Sequence, residues 1–169
     1  SYLGEISCSN NQLISLNLKN TNNEGYLNFP NNPNLQYICA DDNDLAYIQQ
    51  ITTQLNYVNC HVNSYCSFNP NGTFYEIEGN AKLDSNSNGC DISDIDYPNL
   101  NLSITDGTNS GTFISNTSGN YSIPVQTGSH TITPVLENPT YFNISPTSFI
   151  ANFSTQTSPL IQDFCVTAN

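Results

Sequence analysis

The apolar residues of this chain keep two different rhythms, and the change between them near residue 70 restricts the fold more than any other feature. Over the first 65 residues the template L-x-x-L-x-L-x-x-N recurs. Leu3, Ile6, Cys8 and Asn11 fill it. Leu13, Leu16 and Leu18 follow, with Thr21 in the Asn slot. Leu27, Phe29 and Asn32 come next, with Glu24 in the first slot. Leu35, Ile38 and Ala40 are followed by Asn43. Leu55, Val58, Cys60 and Asn63 complete the set. The first slots at 3, 13, 24 and 35 define a half-repeat of ten or eleven residues. Two halves make a coil of about 21 or 22, within the leucine-rich-repeat range. In such a stack the apolar positions point inward and the recurring Asn bonds the backbone of neighbouring turns.

The repeat breaks at residues 41–55, "DDNDLAYIQQITTQL". Leu45, Ile48 and Ile51 are spaced for one face of a helix. Asp41, Asp42 and Asn43 offer capping oxygens and favourable charge at its N-terminus. The pattern predicts a helix at about 43–53 and a last strand at 56–61, together capping the repeats. "SFNPNG", residues 67–72, reads as a linker.

From Thr73 the apolar period becomes two. Tyr75, Ile77, Gly79, Ala81 and Leu83 alternate with polar residues. Further short strands are expected at 99–105, 111–115, 120–126, 129–136, 140–145, 148–154 and 160–167, separated by turn signals and prolines. That is an all-β sandwich pattern. The expected fold class is therefore mixed: a short leucine-rich-repeat solenoid end with a cap helix (1–66), a linker (67–72) and an all-β sandwich (73–169).

Composition narrows function. Lys and Arg together number two, against fourteen Asp plus Glu, for a net charge of −12. Such a chain cannot neutralise a phosphate backbone, which argues against nucleic-acid binding. Anionic membranes are disfavoured for the same reason, and divalent cations are favoured. No segment reaches the roughly 18 apolar residues of a membrane span. Six cysteines, none in a C-x-x-C pair and none clustered with histidine, point away from zinc and toward an oxidising compartment. Cys8 and Cys60 occupy inward slots, and Cys8 is expected to be free. Cys39–Cys60 is one candidate bridge, with Cys66 the rival partner. Cys90 and Cys165 form another candidate pair in the second half.

Two resemblances follow from these residues. "LGEISCSNNQL" resembles the leucine-rich repeats of bacterial surface proteins. "GNYSIPVQTGSHTITPVL", residues 119–136, resembles the hairpin of prealbumin-like surface modules: Cna-type B modules and the B-type modules of serine–aspartate-repeat proteins. Gly119, Tyr121, Ile123, Gly128, His130 and Ile132 hold the matching slots. The layout as a whole resembles Bacteroidetes-type secreted adhesin-like proteins.

The segment "LDSNSNGCDISDID", residues 83–96, is the principal candidate site. Numbering Asp84 as 1 places Asn86 at 3, Asn88 at 5, Gly89 at 6 and Cys90 at 7. Side-chain oxygens at 1, 3 and 5 with a carbonyl at 7 form the first half of an EF-hand-type calcium loop. Position 12 is Ile95 rather than Glu, so Asp94 or Asp96 would close the sphere. The B-type modules hold calcium in a similar loop. The resemblance implies structural Ca2+ on Asp84, Asn86, Asn88, the Cys90 carbonyl and Asp94 or Asp96. The alternative is an Asx-rich turn with no ion.

Other candidates carry less. Glu76 and Glu78 share the polar face of a strand and read as solvated rather than as a hydrolytic pair. His61 and His130 read as surface or packing residues. Lys82 stands where Cna-type modules carry an internal Lys–Asn bond, which would pair it with Asn152 or Asn169; an ordinary lysine is the favoured reading. The expectation is a non-enzymatic, secreted or surface-attached part of a longer chain. Its repeat end would recognise protein or glycan, with Tyr26, Tyr37 and Tyr57 nearby, and its β module would act as a stalk. The alternative is a carbohydrate-binding accessory module of a polysaccharide-degrading enzyme, with Tyr121, Tyr141 and Phe142 as a platform.

Overall fold

The computed structural model describes residues 4–67 and 72–169. Leu3 and most of the expected linker lie outside the described residues.

Residues 4–67 form five very short strands and one helix. Strand β1 (Ile6–Ser7) pairs in parallel with β3 (Leu27–Asn28). Strands β2 (Ser15–Asn17), β4 (Tyr37–Cys39) and β5 (His61–Asn63) make a separate three-stranded parallel sheet. Alternate half-repeats therefore pair: Ile6 faces Leu27, Ser15 faces Tyr37, and Tyr37 faces His61. Leu18, Leu27, Phe29, Leu35, Ile38, Leu45, Ile48 and Val62 are buried between the two small sheets and the helix. The inward Asn expectation is met at two places. Asn32 is fully buried, donates to the Cys8 and Phe29 carbonyls at 3.0 and 2.9 Å and accepts from the Leu13 N–H. Asn63 accepts from Tyr65 N–H, Cys66 N–H and the Tyr37 hydroxyl.

The expected leucine-rich-repeat solenoid does not form. The strands are two or three residues long and fall into two unconnected sheets of two and three strands, with no continuous sheet of stacked repeats among the described residues. The apolar spacing reports which side chains point inward. It does not report which strands pair, and here alternate half-repeats divide between two small sheets. The last strand is also displaced. Helix α1 (Leu45–Gln54), entered through a 3-10 turn at Asp42–Asp44, is followed by Asn56 in the left-handed region (φ 57°). This turn leaves Val58 81% exposed and delays the strand to 61–63.

The second half matches its period-two reading, and its sandwich architecture holds. One sheet has the order β10 (Asn120–Val125), β6 (Tyr75–Asp84), β15 (Phe164–Ala168), β12 (Phe142–Ser145). The short strands β7 (Ile95–Asp96) and β14 (Leu160–Ile161) also pair with β6. The other sheet runs β13 (Phe149–Asn152), β11 (Ser129–Val135), β8 (Asn101–Thr105), β9 (Ser110–Ile114). Ile77, Ala81, Ile123, Val125 and Phe164 from the first sheet meet Leu102, Ile104, Phe113, Ile132 and Ala151 from the second. Alternation along each strand is what places these residues on inner faces.

The two halves are joined by more than the chain. Tyr65 is buried in the sandwich core, while Ile114 of β9 packs against the N-terminal core. Asp42 Oδ1 accepts from the Ser64 hydroxyl and from Thr112 Oγ1 at 2.6 Å. Gln49 Nε2 donates to the Ile114 carbonyl at 2.9 Å.

The bridges are Cys39–Cys66 and Cys90–Cys165, with Cys8 and Cys60 free. Cys39 is buried, and the turn after β5 returns Cys66 to it. The Cys60 alternative is thereby excluded.

Candidate functional site

The 83–96 loop starts at the end of β6 and is pinned at its centre by Cys90–Cys165, which ties it to β15. Its residues satisfy one another extensively. Asp84 is buried; its Oδ1 accepts from Ser87 N–H at 2.7 Å and Asn88 N–H at 3.3 Å, and its Oδ2 from Gly89 N–H at 3.0 Å. Asn86 Oδ1 accepts from Asn88 N–H. Asp94 is buried, and its Oδ2 accepts from Asp91 N–H at 2.8 Å. Asp91 is exposed, and hydrogen bonds from Ser93 hold its carboxyl below the usual range.

Asp96 faces elsewhere. It pairs with Lys82 at 3.1 Å across the β6–β7 ladder, while Lys82 also donates to the Asp94 carbonyl at 3.0 Å. Of the two candidates for closing a calcium sphere, Asp96 is therefore committed to an ion pair and Asp94 is the one turned toward the loop. Both Asp84 oxygens and Asn86 Oδ1 are taken up by backbone N–H groups, the arrangement expected of the Asx-rich turn. The same contacts place Lys82 away from Asn152, which lies on β13 in the opposite sheet, and Asn169 donates to Thr140.

A second feature was not legible in the sequence. A cleft of about 1040 Å³ opens between helix α1, the turn after it, and the edges of β8, β9 and β11. Gln49, Asn101 and Asn116 supply amides to its wall, and Val58, Phe113 and Val135 supply apolar surface. Val58 and Val135 are among the exposed large apolar residues of the protein. His61 also lines it, 3.9 Å from Glu76. Burial outweighs the pull of Glu76 and Glu78 and lowers the His61 pKa. No sequence signal marked it: Val58 fills a repeat slot in register, and only the fold turns it outward.

The aromatic platform expected of a sugar-binding module is not assembled. Tyr121 is buried, with its hydroxyl donating to the Gln162 carbonyl, and burial raises its pKa. Phe142 packs edge-on to Tyr97, and Tyr141 is exposed. Of the three tyrosines expected near a recognition surface, Tyr26 is exposed, Tyr37 is buried, and Tyr57 turns inward to the Phe29 carbonyl and the Asn32 N–H. His130 is buried, a packing residue rather than a surface one. Glu76 and Glu78 are half-buried rather than fully solvated, in register with Pro124 and Ser122 of β10.

No helix among the described residues is long and apolar enough to cross a membrane. Compared with protein-family models and with curated proteins, the chain matches neither a family nor an individual relative.

Proposed function

We propose that this chain is a non-catalytic recognition and spacer module of a secreted or surface-displayed protein, and that the cleft beside helix α1 is its ligand-binding surface. The cleft carries this reading. Its wall is mostly uncharged, with amides that both donate and accept beside an apolar strip. That combination suits a neutral, hydrogen-bonding ligand, either an extended polypeptide segment or a glycan. Two disulfides fit an oxidising compartment, and the −12 charge keeps such a module away from polyanions. Calcium on the 84–94 loop belongs to the same reading: the ion would neutralise Asp84 and Asp94 and stiffen the strand end from which they project.

The test is binding by the intact chain to a glycan array and to a displayed peptide library, repeated with Val58→Asp and Asn101→Ala. Binding to either set that both variants weaken at least tenfold supports the cleft. Binding unaffected by both variants, or turnover of any oligosaccharide, overturns the reading. Glycan binding rather than peptide binding would favour an accessory role beside a polysaccharide-degrading enzyme.

A further inference from the structure

One carboxylate oxygen each of Glu24, Asp41 and Asp44 lies within 4.8 Å of the other two. Glu24 lies in the loop between β2 and β3. Asp41 precedes, and Asp44 ends, the 3-10 turn that leads into helix α1. Glu24 is 6% exposed and Asp44 5%. Both have an orphan atom: Glu24 Oε2 and Asp44 Oδ2 are buried and accept no hydrogen bond. A buried carboxylate oxygen without a donor costs several kcal/mol in general unless it is neutralised, and here two such atoms belong to residues of one cluster.

The neighbouring donors are directed to other atoms. Asn20 Nδ2 donates to Glu24 Oε1 at 2.7 Å, leaving Oε2. Asp41 Oδ2 accepts from the Asn20 and Thr21 N–H groups at 2.9 and 2.8 Å. Asp44 sits at the N-cap of α1 but makes no side-chain cap hydrogen bond, so its carboxyl does not serve the helix end. Lysine does not neutralise the group either. Lys19 Nζ is held by the Ser64 carbonyl at 2.6 Å, and Lys82 belongs to the sandwich.

The geometry points to a divalent, oxygen-preferring cation, calcium, bound by Glu24 Oε2, Asp44 Oδ2 and the Asp41 carboxylate. Opposite ligands of a calcium ion with bonds of about 2.3–2.6 Å stand about 5 Å apart, so three oxygens within 4.8 Å fit one coordination sphere. Water would complete the usual six to eight ligands. The ion would join the β2–β3 loop to the entrance of α1. It would thereby also position Asp42, whose carboxylate bonds Ser64 and Thr112 across the junction. This site is separate from the 84–94 loop and does not depend on it.

The test is calcium titration of the intact protein by calorimetry, with wild type, Glu24→Gln, Asp44→Asn and Asp84→Asn compared. The expected result is a calcium equivalent whose affinity falls at least tenfold in Glu24→Gln and in Asp44→Asn and is unchanged in Asp84→Asn. Equal uptake by wild type and Glu24→Gln overturns the site, as does uptake lost only in Asp84→Asn. If Glu24→Gln does not fold, Asp41→Asn takes its place. Carboxyl 13C NMR of the wild type gives an independent measurement: a Glu24 signal that stays protonated at pH 7 in 10 mM calcium would mean that a shared proton, not a metal, neutralises the group.

Discussion

The Tyr65 hydroxyl lies 3.0 Å from Nδ1 of His130, with both residues buried and their rings edge-to-face. His130 Nε2 is 2.8 Å from the Gln126 carbonyl. If Nε2 carries the proton and donates there, Nδ1 accepts from Tyr65. Tyr65 comes from the end of the N-terminal half and His130 from strand β11, so this pair fastens one half into the core of the other. Tyr65→Phe keeps the ring and strips the donor, leaving a buried Nδ1 unsatisfied. The expected loss is about 1–2 kcal/mol, read as a lower urea midpoint with an unchanged slope.

Gly111 should tolerate nothing larger. A Cβ there would stand 2.3 Å from the Tyr65 Cα and backbone N, and backbone cannot swing aside as a side-chain tip can. Gly111→Ala is expected to cost about 1–3 kcal/mol or more. It should also loosen the junction, which amide exchange at Ser64 and Thr112 would show as lost protection, since Ser64 N–H donates to the Thr112 carbonyl.

Asn32 ties together three segments of backbone through one side chain. Asn32→Ala leaves the Leu13 N–H and the Cys8 and Phe29 carbonyls without that partner. About 1–3 kcal/mol of destabilisation is expected, with Asn32→Asp no rescue because a carboxylate cannot donate. Thermal melts of the three proteins decide it.

Alkylation of the native protein under denaturing, non-reducing conditions should label Cys8 and Cys60 alone. In the folded protein burial pushes the Cys60 thiol up to about 12 and raises Cys8 as well, so both should react slowly before unfolding. Replacing Cys90 and Cys165 together by Ser should cost about 2–4 kcal/mol and release the 84–96 loop, which proteolysis followed by mass spectrometry would locate.

His61 sets a pH dependence. Its folded pKa lies below the ordinary 6.5 because burial outweighs the attraction of Glu76 and Glu78. The unfolded chain therefore takes up the proton first as pH falls. Stability from this residue is complete above about pH 6.5 and declines as the pH drops toward the folded value. Ring NMR titration should place His61 below 6.5, and His61→Gln should flatten the decline between pH 7 and 5.

Residue chemistry was legible where one local rule governed it. The period-two segments after Thr73 became strands because alternation alone decides which face is buried. Cys90–Cys165 could be proposed because both cysteines fall in the second half, one leaving the polar loop and one in the last strand, though the sequence offered other partners. The repeat template identified inward residues such as Leu27, Ile38 and Asn32. It also contained an anomaly, Glu24 in a first slot that elsewhere holds Leu, though nothing local tied it to Asp41 and Asp44. Nothing local marked Val58 as outward, since its slot was in register and the deviation comes from the left-handed turn at Asn56.

By itself the sequence determined the β-rich character, the sandwich, the anionic surface and the polar loop, because periodicity, charge and turn chemistry act over a few residues. Tertiary structure alone decided that the N-terminal strands divide between two small sheets, that Cys39 meets Cys66, that Tyr65 enters the second core, and that Glu24 meets Asp41 and Asp44. Each of these depends on segments distant along the chain packing against one another, and short-range patterns do not encode which distant surfaces will meet.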